Sequence, residues 1–352
     1  MDPLGVSVVI PTYNRAALVS RAVDSALRAI SPGDEIIVVD DASTDDTERA
    51  LAAYGDRIRY QRVPHRGAGA ARNFGISVAR NPLVAFLDSD DEWMPHILTL
   101  ERALLQARPD VLFCCSNFAV RAKGMEKRRY LSNWFSRPCT WDELFGPGVG
   151  YSSLAPLPKD VPDFSVHIGD FYLSLVKEGC VCTITVLVRR ESAAEALRFA
   201  EDLPTYEDWE CFARVARVGL GAYLDCETAW NYGHSGPRLT DAEDYDRATT
   251  RLTIYSRVWG HDRDFLSKHS ALFEEAVRTQ RLIRARAMLR DGRRAEARDE
   301  LRLVKDAPLA YRAASLVPGW LFSGNAIRSV LKAKDRILER ASGVRTRIGA
   351  GG

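Results

Sequence analysis

Short apolar runs that alternate with amphipathic segments are the feature that most restricts how this chain can fold. Residues 7–10, 35–39 and 84–87 are apolar runs too short for helices, and residues 57–60 form a half-buried run of similar length. A helical pattern separates each run from the next. Strands connected by helices in this way pair in parallel, because each helix returns the chain across one face of the sheet. The sequence therefore predicts an α/β fold with a mostly parallel, buried central sheet and helices on both faces.

Polar residues follow three of these predicted strands. They are Pro11, Thr12, Tyr13 and Asn14 after the first, Asp40 and Asp41 after the second, and Asp88, Ser89 and Asp90 after the fourth. Ligands of open parallel sheets bind beyond the carboxyl ends of the strands. Asp88 and Asp90 are two residues apart, so along an extended backbone they point the same way. Two carboxylates with a substrate diphosphate commonly hold Mg²⁺, so this edge is a candidate metal site.

Helix caps and solvated acids are the alternative explanation of the same residues. An isolated pair of this kind is more often a cap or a solvent-facing pair, and Asp40 or Asp41 has the right position to cap the next predicted helix. Asn14 is predicted to cap the first helix, and residues 43–46 resemble a capping box for the second. Only the neighbouring motifs can therefore distinguish a ligand-binding site from a set of helix caps.

Beyond residue 100 the pattern is less regular. Strands are predicted at residues 111–118, 179–189 and 221–224, and a helix is predicted to begin within residues 203–209. Residues 121–170 are rich in aromatic residues and prolines, which is typical of binding loops. Basic residues also occur there, but a solvated loop or a loop near an anionic donor explains them, so no nucleic-acid partner is predicted.

The composition of the 352-residue chain is ordinary for a soluble protein, with 46% hydrophobic and 27% charged residues. Neither a secretory signal nor an apolar run of about 18 residues is found, so a cytoplasmic location is expected. The seven cysteines are odd in number and lack paired C-x-x-C spacing. They are predicted to be reduced core residues, not a disulfide framework or a zinc site.

Charge divides the chain near residue 244. Residues 1–244 carry 26 Lys and Arg against 35 Asp and Glu, whereas residues 245–352 carry 23 against 12. The second part is helical in pattern, so the predicted domains are an α/β domain of residues 1–244 and an α-helical region of residues 245–352. Basic residues flank an apolar helix face at residues 327–338. These C-terminal helices either pack on the α/β domain or a second subunit, or make peripheral contact with an anionic membrane.

Five motifs in a fixed order give the chain a recognisable pattern. They are SVVIPTYNR at residues 7–15, IVVDDAS at 37–43, ARN at 71–73, FLDSDD at 86–91 and YEDW at 206–209. Together they resemble the inverting family 2 glycosyltransferases of GT-A fold, and the ordered set is far more specific than any single motif. The resemblance implies that residues 1–244 are a catalytic domain that uses a nucleoside-diphosphate sugar.

The resemblance also implies how the donor is bound. The loop that matches Pro11, Thr12 and Tyr13 lines the nucleotide base, and Asn14 is counted with the residues that bind the nucleotide sugar. Asp41, with Asp40 beside it, accepts hydrogen bonds from the base or ribose, which suits an acceptor-only carboxylate. Arg72 contacts the pyrophosphate, unless it is an ordinary surface arginine. Ser89 is counted with the residues that bind the nucleotide sugar.

The metal site and the catalytic base follow from the same resemblance. Asp90 is the implied direct ligand of Mg²⁺ or Mn²⁺, and Asp88 contacts the metal through water or contacts the donor's ribose. His234 resembles the late histidine that completes such sites, although a lone histidine is as often structural. Asp208 is the implied general base, which takes a proton from the acceptor hydroxyl as that group attacks the anomeric carbon. A single displacement of this kind inverts the anomeric configuration.

The prediction is therefore a metal-dependent inverting glycosyltransferase that acts on a glycan or lipid-linked saccharide in cell-surface polysaccharide biosynthesis. A haloacid-dehalogenase-type phosphatase is disfavoured, because Glu92 stands where Thr or Val is needed and three strand-helix units precede the acids. A nucleotidyltransferase of similar fold is disfavoured, because residues 11–14 are not a Gly-rich basic loop. A catalytically silent scaffold that binds nucleotide sugars or carbohydrate is the remaining alternative, and the presence of both Asp90 and Asp208 argues against it.

Overall fold

The structure, a computed structural model, describes residues 4–122, 124–135, 138–232 and 243–316. Within these residues eleven strands form one sheet, and helices pack around it. The strands are β1 (Val6–Thr12), β2 (Glu35–Asp40), β3 (Arg59–Arg62), β4 (Leu83–Phe86), β5 (Glu92–Trp93), β6 (Val111–Ala122), β7 (Met125–Lys127), β8 (Gly148–Gly150), β9 (Ser165–Gly169), β10 (Val186–Arg189) and β11 (Leu220–Tyr232). The helices are α1 (Val19–Ala29), α2 (Thr47–Ala52), α3 (Ala68–Val78), α4 (Ile97–Ala107), α5 (Trp141–Phe145), α6 (Phe171–Lys177), α7 (Arg190–Ala193), α8 (Glu207–Val218), α9 (Asp244–Val258), α10 (Arg263–Arg290), α11 (Arg294–Arg302) and α12 (Leu309–Leu316).

The strand order places the first four strands side by side. The order is β3-β2-β1-β4-β10-β6-β11-β9-β8, with β5 paired to β11 and β7 paired to β6. β1 to β4 are parallel, and every residue of β1 is buried, as expected for a strand that is covered on both faces. The predicted α/β fold with a central sheet is confirmed. The second half of the sheet is mixed, because β10 runs antiparallel between β4 and β6 and β9 runs antiparallel to β11. The mostly parallel arrangement that the sequence predicts is therefore limited to β1 to β4 and to the pair of β6 and β11.

A glycine allows α3 to lie close against β1. A Cβ atom on Gly75 would come within 2.4 Å of Val9 Cγ1, so a side chain at this position would push the helix away from the strand. The same helix carries Arg72, almost one turn before Gly75. Close packing at Gly75 therefore sets how deeply Arg72 enters the edge of the sheet.

Two predicted strands differ from those in the structure. The strand predicted at residues 179–189 is reduced to β10, and a 3₁₀ turn at Thr183–Thr185 precedes it. The Thr185 hydroxyl donates to the carbonyl oxygens of Ser116 and Cys182, so a side chain takes the place of part of the strand ladder. The strand predicted at residues 221–224 continues to the end of β11, because register shifts keep β11 paired with β6.

The two predicted helix caps are wrong. α1 begins at Val19, whereas Asn14 has φ 51° and its Oδ1 accepts a 2.7 Å hydrogen bond from the Thr44 backbone N–H. Asn adopts this left-handed conformation more readily than most residues. α2 begins at Thr47, and its N-cap residue Asp46 makes no side-chain capping bond. Asp45 Oδ1 instead accepts the Thr47 N–H at 3.0 Å, so the capping box predicted at residues 43–46 does not form. Asn14 instead ties together the loops that follow β1 and β2.

The helical pattern after residue 245 is confirmed as far as residue 316. The main hydrophobic core includes Ile254 in α9 and Phe265 in α10, whereas a second, smaller core begins at Ala285 and includes Leu301 and Tyr311. α9 and the first half of α10 thus pack on the α/β domain, and the division at residue 244 stays a prediction. None of the helices in the described ranges is long and apolar enough to cross a bilayer. The basic segment around residues 327–338 lies outside the described residues.

Glu101 of α4 is a fully buried carboxyl group whose ionisation opposes folding. Its Oε1 accepts a 3.1 Å hydrogen bond from Ser116 Oγ, and burial raises its pKa well above the ordinary value. The unfolded chain loses this proton above about pH 4.5 while the folded chain keeps it, so its contribution to stability falls as the pH rises. We expect Glu101→Gln to raise the free energy of unfolding by about 1 kcal/mol or more at pH 8 and to change it little at pH 4.

Urea unfolding at pH 4 and pH 8 tests this expectation. The exposed Glu195→Gln is the control and should match the wild-type chain at both pH values. An effect of Glu101→Gln that does not depend on pH would contradict the proposed linkage.

Candidate functional site

The carboxyl ends of β2, β1 and β4 lie next to one another. Thr12 pairs with Asp40 in the parallel register of β1 and β2, and β4 pairs with the other side of β1. Asp88 lies two residues after the end of β4. The sheet therefore brings the loops that follow these three strands to one edge, as the sequence predicts.

Asp41 anchors the segment that leads into α3. Its Oδ1 and Oδ2 accept backbone N–H bonds from Arg66 and Gly67, both at 2.8 Å. His65 Nδ1 lies 2.9 Å from Asp41 Oδ2, and the His65 ring stacks on Tyr13 with the ring centroids 4.3 Å apart. Tyr13 and His65 are both exposed, so they form a flat aromatic surface beside the carboxylate. Such a surface suits a planar base, and His65 was not among the predicted residues.

Asp40 has a different environment from its neighbour. It is fully buried, its Oδ1 accepts a 2.7 Å bond from the Ser43 N–H, and its Oδ2 accepts a 2.6 Å bond from the Tyr60 hydroxyl. Neither Asp40 nor Asp41 caps α2, so the helix-cap explanation is wrong for both. Asp40 braces the loop that carries Asp41.

The remaining residues predicted around the nucleotide are close to this edge. Pro11 and Thr12 are buried at the end of β1, and Thr12 Oγ1 is buried without a hydrogen-bond partner in the part of the chain that the structure describes. Ser89 is buried between the two predicted metal-binding carboxylates. Because Pro11 and Thr12 are buried, the exposed Tyr13 ring is the accessible side chain at the end of β1.

Arg72 joins the two acidic segments of the candidate site. Its Nη2 donates to Asp88 Oδ1 and its Nη1 donates to Glu207 Oε1, each at 2.7 Å. Arg72 is buried, so the alternative of a surface arginine is wrong. Burial opposes its charge, yet Asp88 and Glu207 hold its pKa above the ordinary value. The residues after β4 and the start of α8 thus lie within the span of one guanidinium group.

Negative charge is concentrated directly after β4. Burial raises the pKa of Asp88, Arg72 opposes this rise, and the charge of Asp90 adds to it. Burial and the charges of Asp90 and Asp88 raise the pKa of Asp91 well above its ordinary value. The Asp91 carboxylate also accepts a 2.8 Å bond from the Tyr232 N–H, which ties β11 to this segment, and the sequence did not indicate that contact. Repulsion among three neighbouring carboxylates is what a cation relieves.

The chemistry of these carboxylates fits a divalent cation that binds together with a diphosphate. Mg²⁺ and Mn²⁺ prefer oxygen ligands and usually take one or two carboxylates together with substrate phosphates. No group of three or more His, Cys, Asp or Glu side chains in the described ranges is arranged to hold a metal by itself. Phosphate oxygens would therefore complete the coordination. His234, the further predicted ligand, lies outside the described residues.

Asp208 is the second residue of α8 and is held by two hydrogen bonds. Its Oδ1 accepts from the Trp209 N–H at 2.8 Å, and its Oδ2 accepts from the Thr183 hydroxyl at 2.9 Å. Burial and then the charge of Glu207 raise the pKa of Asp208 to about 6, although Arg72 opposes the rise. A carboxylate of this pKa is ionised at neutral pH and is a stronger base than an ordinary Asp. This environment is therefore suited to general-base chemistry.

Sequence comparison agrees with the first four of the five motifs, which lie within the matched residues. Residues 7–152 match the model of the family Glycosyl transferase family 2. An uncharacterised glycosyltransferase of Rickettsia prowazekii is 37% identical over 258 residues, which are 72% of this chain and 70% of the relative. WfgD of Escherichia coli, named UDP-Glc:α-D-GlcNAc-diphosphoundecaprenol β-1,3-glucosyltransferase, is 30% identical over 192 residues, which are 52% of this chain and 74% of WfgD.

A solved structure shares the fold. The mannosyltransferase PcManGT of Pyrobaculum calidifontis, in complex with GDP-Man and Mn²⁺, aligns with a TM-score of 0.50 at 18% identity. The alignment covers 97% of this chain and 87% of that chain, so it includes the sheet and the C-terminal helices. From the family match and the identity to relatives over most of their length, the chain belongs to glycosyltransferase family 2, and it has the GT-A fold.

Proposed function

We propose that the chain is a metal-dependent inverting glycosyltransferase that moves one sugar from a nucleoside-diphosphate donor to a hydroxyl group. The observation that carries the proposal is the pair of 2.7 Å ion pairs from Arg72 to Asp88 and Glu207. They join the acidic segment after β4, which suits a cation and a diphosphate, to the start of α8, which presents Asp208. In a single displacement the base and the leaving diphosphate lie on opposite sides of the anomeric carbon, and these two separate segments offer one position for each.

The nucleotide base is assigned to the aromatic surface formed by Tyr13 and His65. The base stacks on these rings, and Asp41 accepts a hydrogen bond from a base or ribose donor. The names of the similar proteins include UDP-Glc for WfgD and GDP-Man for PcManGT. UDP- and GDP-sugars are therefore the first donors to test.

The cation, Mg²⁺ or Mn²⁺, is assigned to Asp90, with Asp88 in contact through water or through the ribose and His234 as a further ligand. When bound, such a cation neutralises the charge that develops on the leaving nucleoside diphosphate. The carboxylates after β4 supply the negative charge that attracts it, and Arg72 keeps Asp88 in a fixed orientation. The Mn²⁺ in the PcManGT complex supports this assignment.

Asp208 is assigned as the general base. It accepts the proton of the acceptor hydroxyl as that oxygen attacks the anomeric carbon, while the bond from this carbon to the diphosphate oxygen breaks on the opposite side. The configuration at the anomeric carbon is inverted, because only one displacement occurs. Glu207 makes Asp208 more basic by placing a second negative charge beside it.

The acceptor is proposed to be a glycan or a lipid-linked saccharide in cell-surface polysaccharide biosynthesis. The name of WfgD includes a diphosphoundecaprenol-linked acceptor. Residues 245–352 contain 23 basic and 12 acidic residues, and this positive charge suits peripheral contact with an anionic membrane. We propose that the enzyme works on the cytoplasmic side of such a membrane.

Donor and cation are expected to stabilise the folded chain together. A ligand that binds only the folded state raises its stability by about 2.7 kcal/mol at a concentration of 100 times Kd. Among UDP-, GDP- and dTDP-sugars, we expect one nucleotide class to raise Tm in the presence of Mn²⁺ and to raise it much less with EDTA. Thermal shift measurements with this panel test the expectation.

Asp90→Asn should lose the part of the Tm shift that depends on Mn²⁺, whereas the exposed control Asp56→Asn should keep it. Shifts of equal size with Mn²⁺ and with EDTA would argue against the cation, and no shift with any donor would argue against the donor site. A silent binding scaffold would show the Tm shift but would release no labelled sugar from the donor, so a release assay separates it from an enzyme.

A further inference from the structure

The only side-chain hydrogen bond that Asp208 accepts within the described ranges comes from Thr183. The Thr183 hydroxyl lies 2.9 Å from Asp208 Oδ2 and belongs to the 3₁₀ turn at Thr183–Thr185, just before β10. Thr183 is buried, with 4% of its surface exposed, so bulk water does not compete for this hydroxyl. The second bond to Asp208 comes from the next residue in the chain, whereas Thr183 fixes the carboxylate relative to the sheet.

The turn that carries Thr183 is itself held in place by buried bonds. The Thr185 hydroxyl donates to the Ser116 carbonyl oxygen at 3.0 Å, which anchors the turn to β6. The Trp93 indole N–H donates to the Ile184 carbonyl oxygen at 2.7 Å, which anchors it to β5. β5 follows directly after the acidic segment that includes Asp91. The turn therefore cannot shift without breaking these bonds, and Thr183 is a donor in a fixed position.

The pattern of bonds leaves Asp208 able to accept a proton. Each carboxylate oxygen has two acceptor positions, and the bonds from Thr183 and from the Trp209 N–H use one on each oxygen. A hydrogen bond to the ionised form of an acid also favours that form. Thr183 thus has two effects on one group: it restricts the orientation of Asp208, and it favours the charged state that acts as a base.

We infer that Thr183 is a positioning residue for the general base, holding the Asp208 carboxylate ionised and directed towards the acceptor hydroxyl. The inference rests on the proposed function, because it assigns a partner to the base of that reaction. Thr183 acts through Asp208 and is not itself assigned a contact with the substrate.

The charged and titratable groups around Asp208 determine how its pKa would change if the bond from Thr183 were lost. Glu207 of α8 raises the pKa of Asp208, which is about 6, and Arg72 of α3 lowers it. The thiols of Cys182 and Cys211 also lie near Asp208, and burial raises the pKa of both, so both are neutral at pH 7. Without the Thr183 hydroxyl only Arg72 and the local N–H bond favour the charged form. A smaller fraction of Asp208 would then be ionised at pH 7.

Thr183→Val keeps the shape of the side chain and removes the hydroxyl. Release of nucleoside diphosphate from UDP-glucose, GDP-mannose and dTDP-glucose with Mn²⁺ is measured between pH 5 and pH 9, with water as the acceptor. We expect kcat at pH 7 to fall about tenfold and the acid limb of the kcat profile to move upward by about one pH unit. The KM for the donor should not change, because Thr183 is inferred to act through Asp208 and is assigned no contact with the donor. Thr183→Ser keeps a hydroxyl and should keep the wild-type limb.

Thr228→Val is the matched control, since it removes a buried threonine hydroxyl of β11 that bonds to Ser116 Oγ and not to Asp208 or to the turn at Thr183–Thr185. It should lower Tm and leave the acid limb in place. A Thr183→Val variant with wild-type kcat and acid limb overturns the inference, and so does an equal shift of the limb in Thr228→Val. If Thr183→Val does not fold, Thr183→Ala is measured with the same expectation. A wild-type chain that releases no nucleoside diphosphate from any of the three donors, and whose Tm none of them raises, would instead overturn the proposed function.

Discussion

Asp208→Asn is expected to reduce sugar transfer by about 10²–10⁴-fold, which is the usual contribution of a general base, while the chain still binds its donor. Asn has nearly the same shape as Asp but cannot accept a proton at neutral pH. The Thr183 hydroxyl can still donate to the amide oxygen, so the start of α8 should stay in place. Donor binding should survive, because Asp208 is not part of the proposed donor site. The nucleotide base is assigned to the aromatic surface formed by Tyr13 and His65, and the diphosphate is assigned to the carboxylates after β4.

The pH dependence of the wild-type rate is part of the same prediction. The pKa of Asp208 is raised to about 6, and only the ionised form acts as a base, so the rate should rise as the pH increases from 5 to 7. Asp208→Asn should lose this limb together with most of the rate. Asp202→Asn is the matched control, since Asp202 is an exposed residue whose carboxylate pairs with Arg257. Transfer by Asp208→Asn at close to the wild-type rate would show that another residue is the base.

The parallel strands β1, β2 and β4 and the edge at which they end agree with the sequence-based prediction. The run Val8, Val9 and Ile10 is apolar and β-branched over a length that suits a strand, and it forms the fully buried β1. The carboxylates that follow β2 and β4 meet at one edge because parallel strands end on the same side. For these strands, the apolar residues of the segment itself are enough to predict the secondary structure and the burial.

The errors and omissions concern contacts between distant residues. The apolar run at residues 179–189 gives no local sign of the 3₁₀ turn, which depends on the Thr185 bond to Ser116 in β6. The bond between Arg72 and Glu207 joins residues that are 135 positions apart, and it needs the close packing of α3 on β1. His65 lies in a polar stretch without periodicity, so nothing near it in the sequence indicates its contact with Asp41. Adjacency to Asp208 was the one local signal that pointed to Glu207.

Stability and catalysis are both expected to depend on the Arg72 guanidinium group, because it is the cation between the acidic segment after β4 and the start of α8. Arg72→Gln leaves Asp88 and Glu207 without their ion-pair partner, and breaking a buried pair from one side typically costs about 3–5 kcal/mol. The Asp88 side chain is 32% exposed, so water offsets part of the loss, and we expect a decrease of about 3 kcal/mol in the free energy of unfolding at pH 8. Transfer should also fall, since Asp88 and the start of α8 lose their shared contact.

The pH dependence of the stability lost in Arg72→Gln shows whether the loss comes from the unpaired charges of Asp88 and Glu207 or only from lost packing. Burial already raises the pKa of Asp88, and removal of Arg72 takes away the group that opposes the rise. The destabilisation of Arg72→Gln should therefore be full at pH 8 and smaller at pH 5, where more of the carboxyl group is protonated at little cost. Urea unfolding at both pH values measures it, and the exposed Arg49→Gln should change stability by less than about 0.5 kcal/mol. In the Arg72→Gln background, Glu207→Gln should restore part of the lost stability, because it removes one of the unpaired charges. If the loss is the same at both pH values and Glu207→Gln restores none of it, Arg72 stabilises the site by packing and not by holding the two acids together.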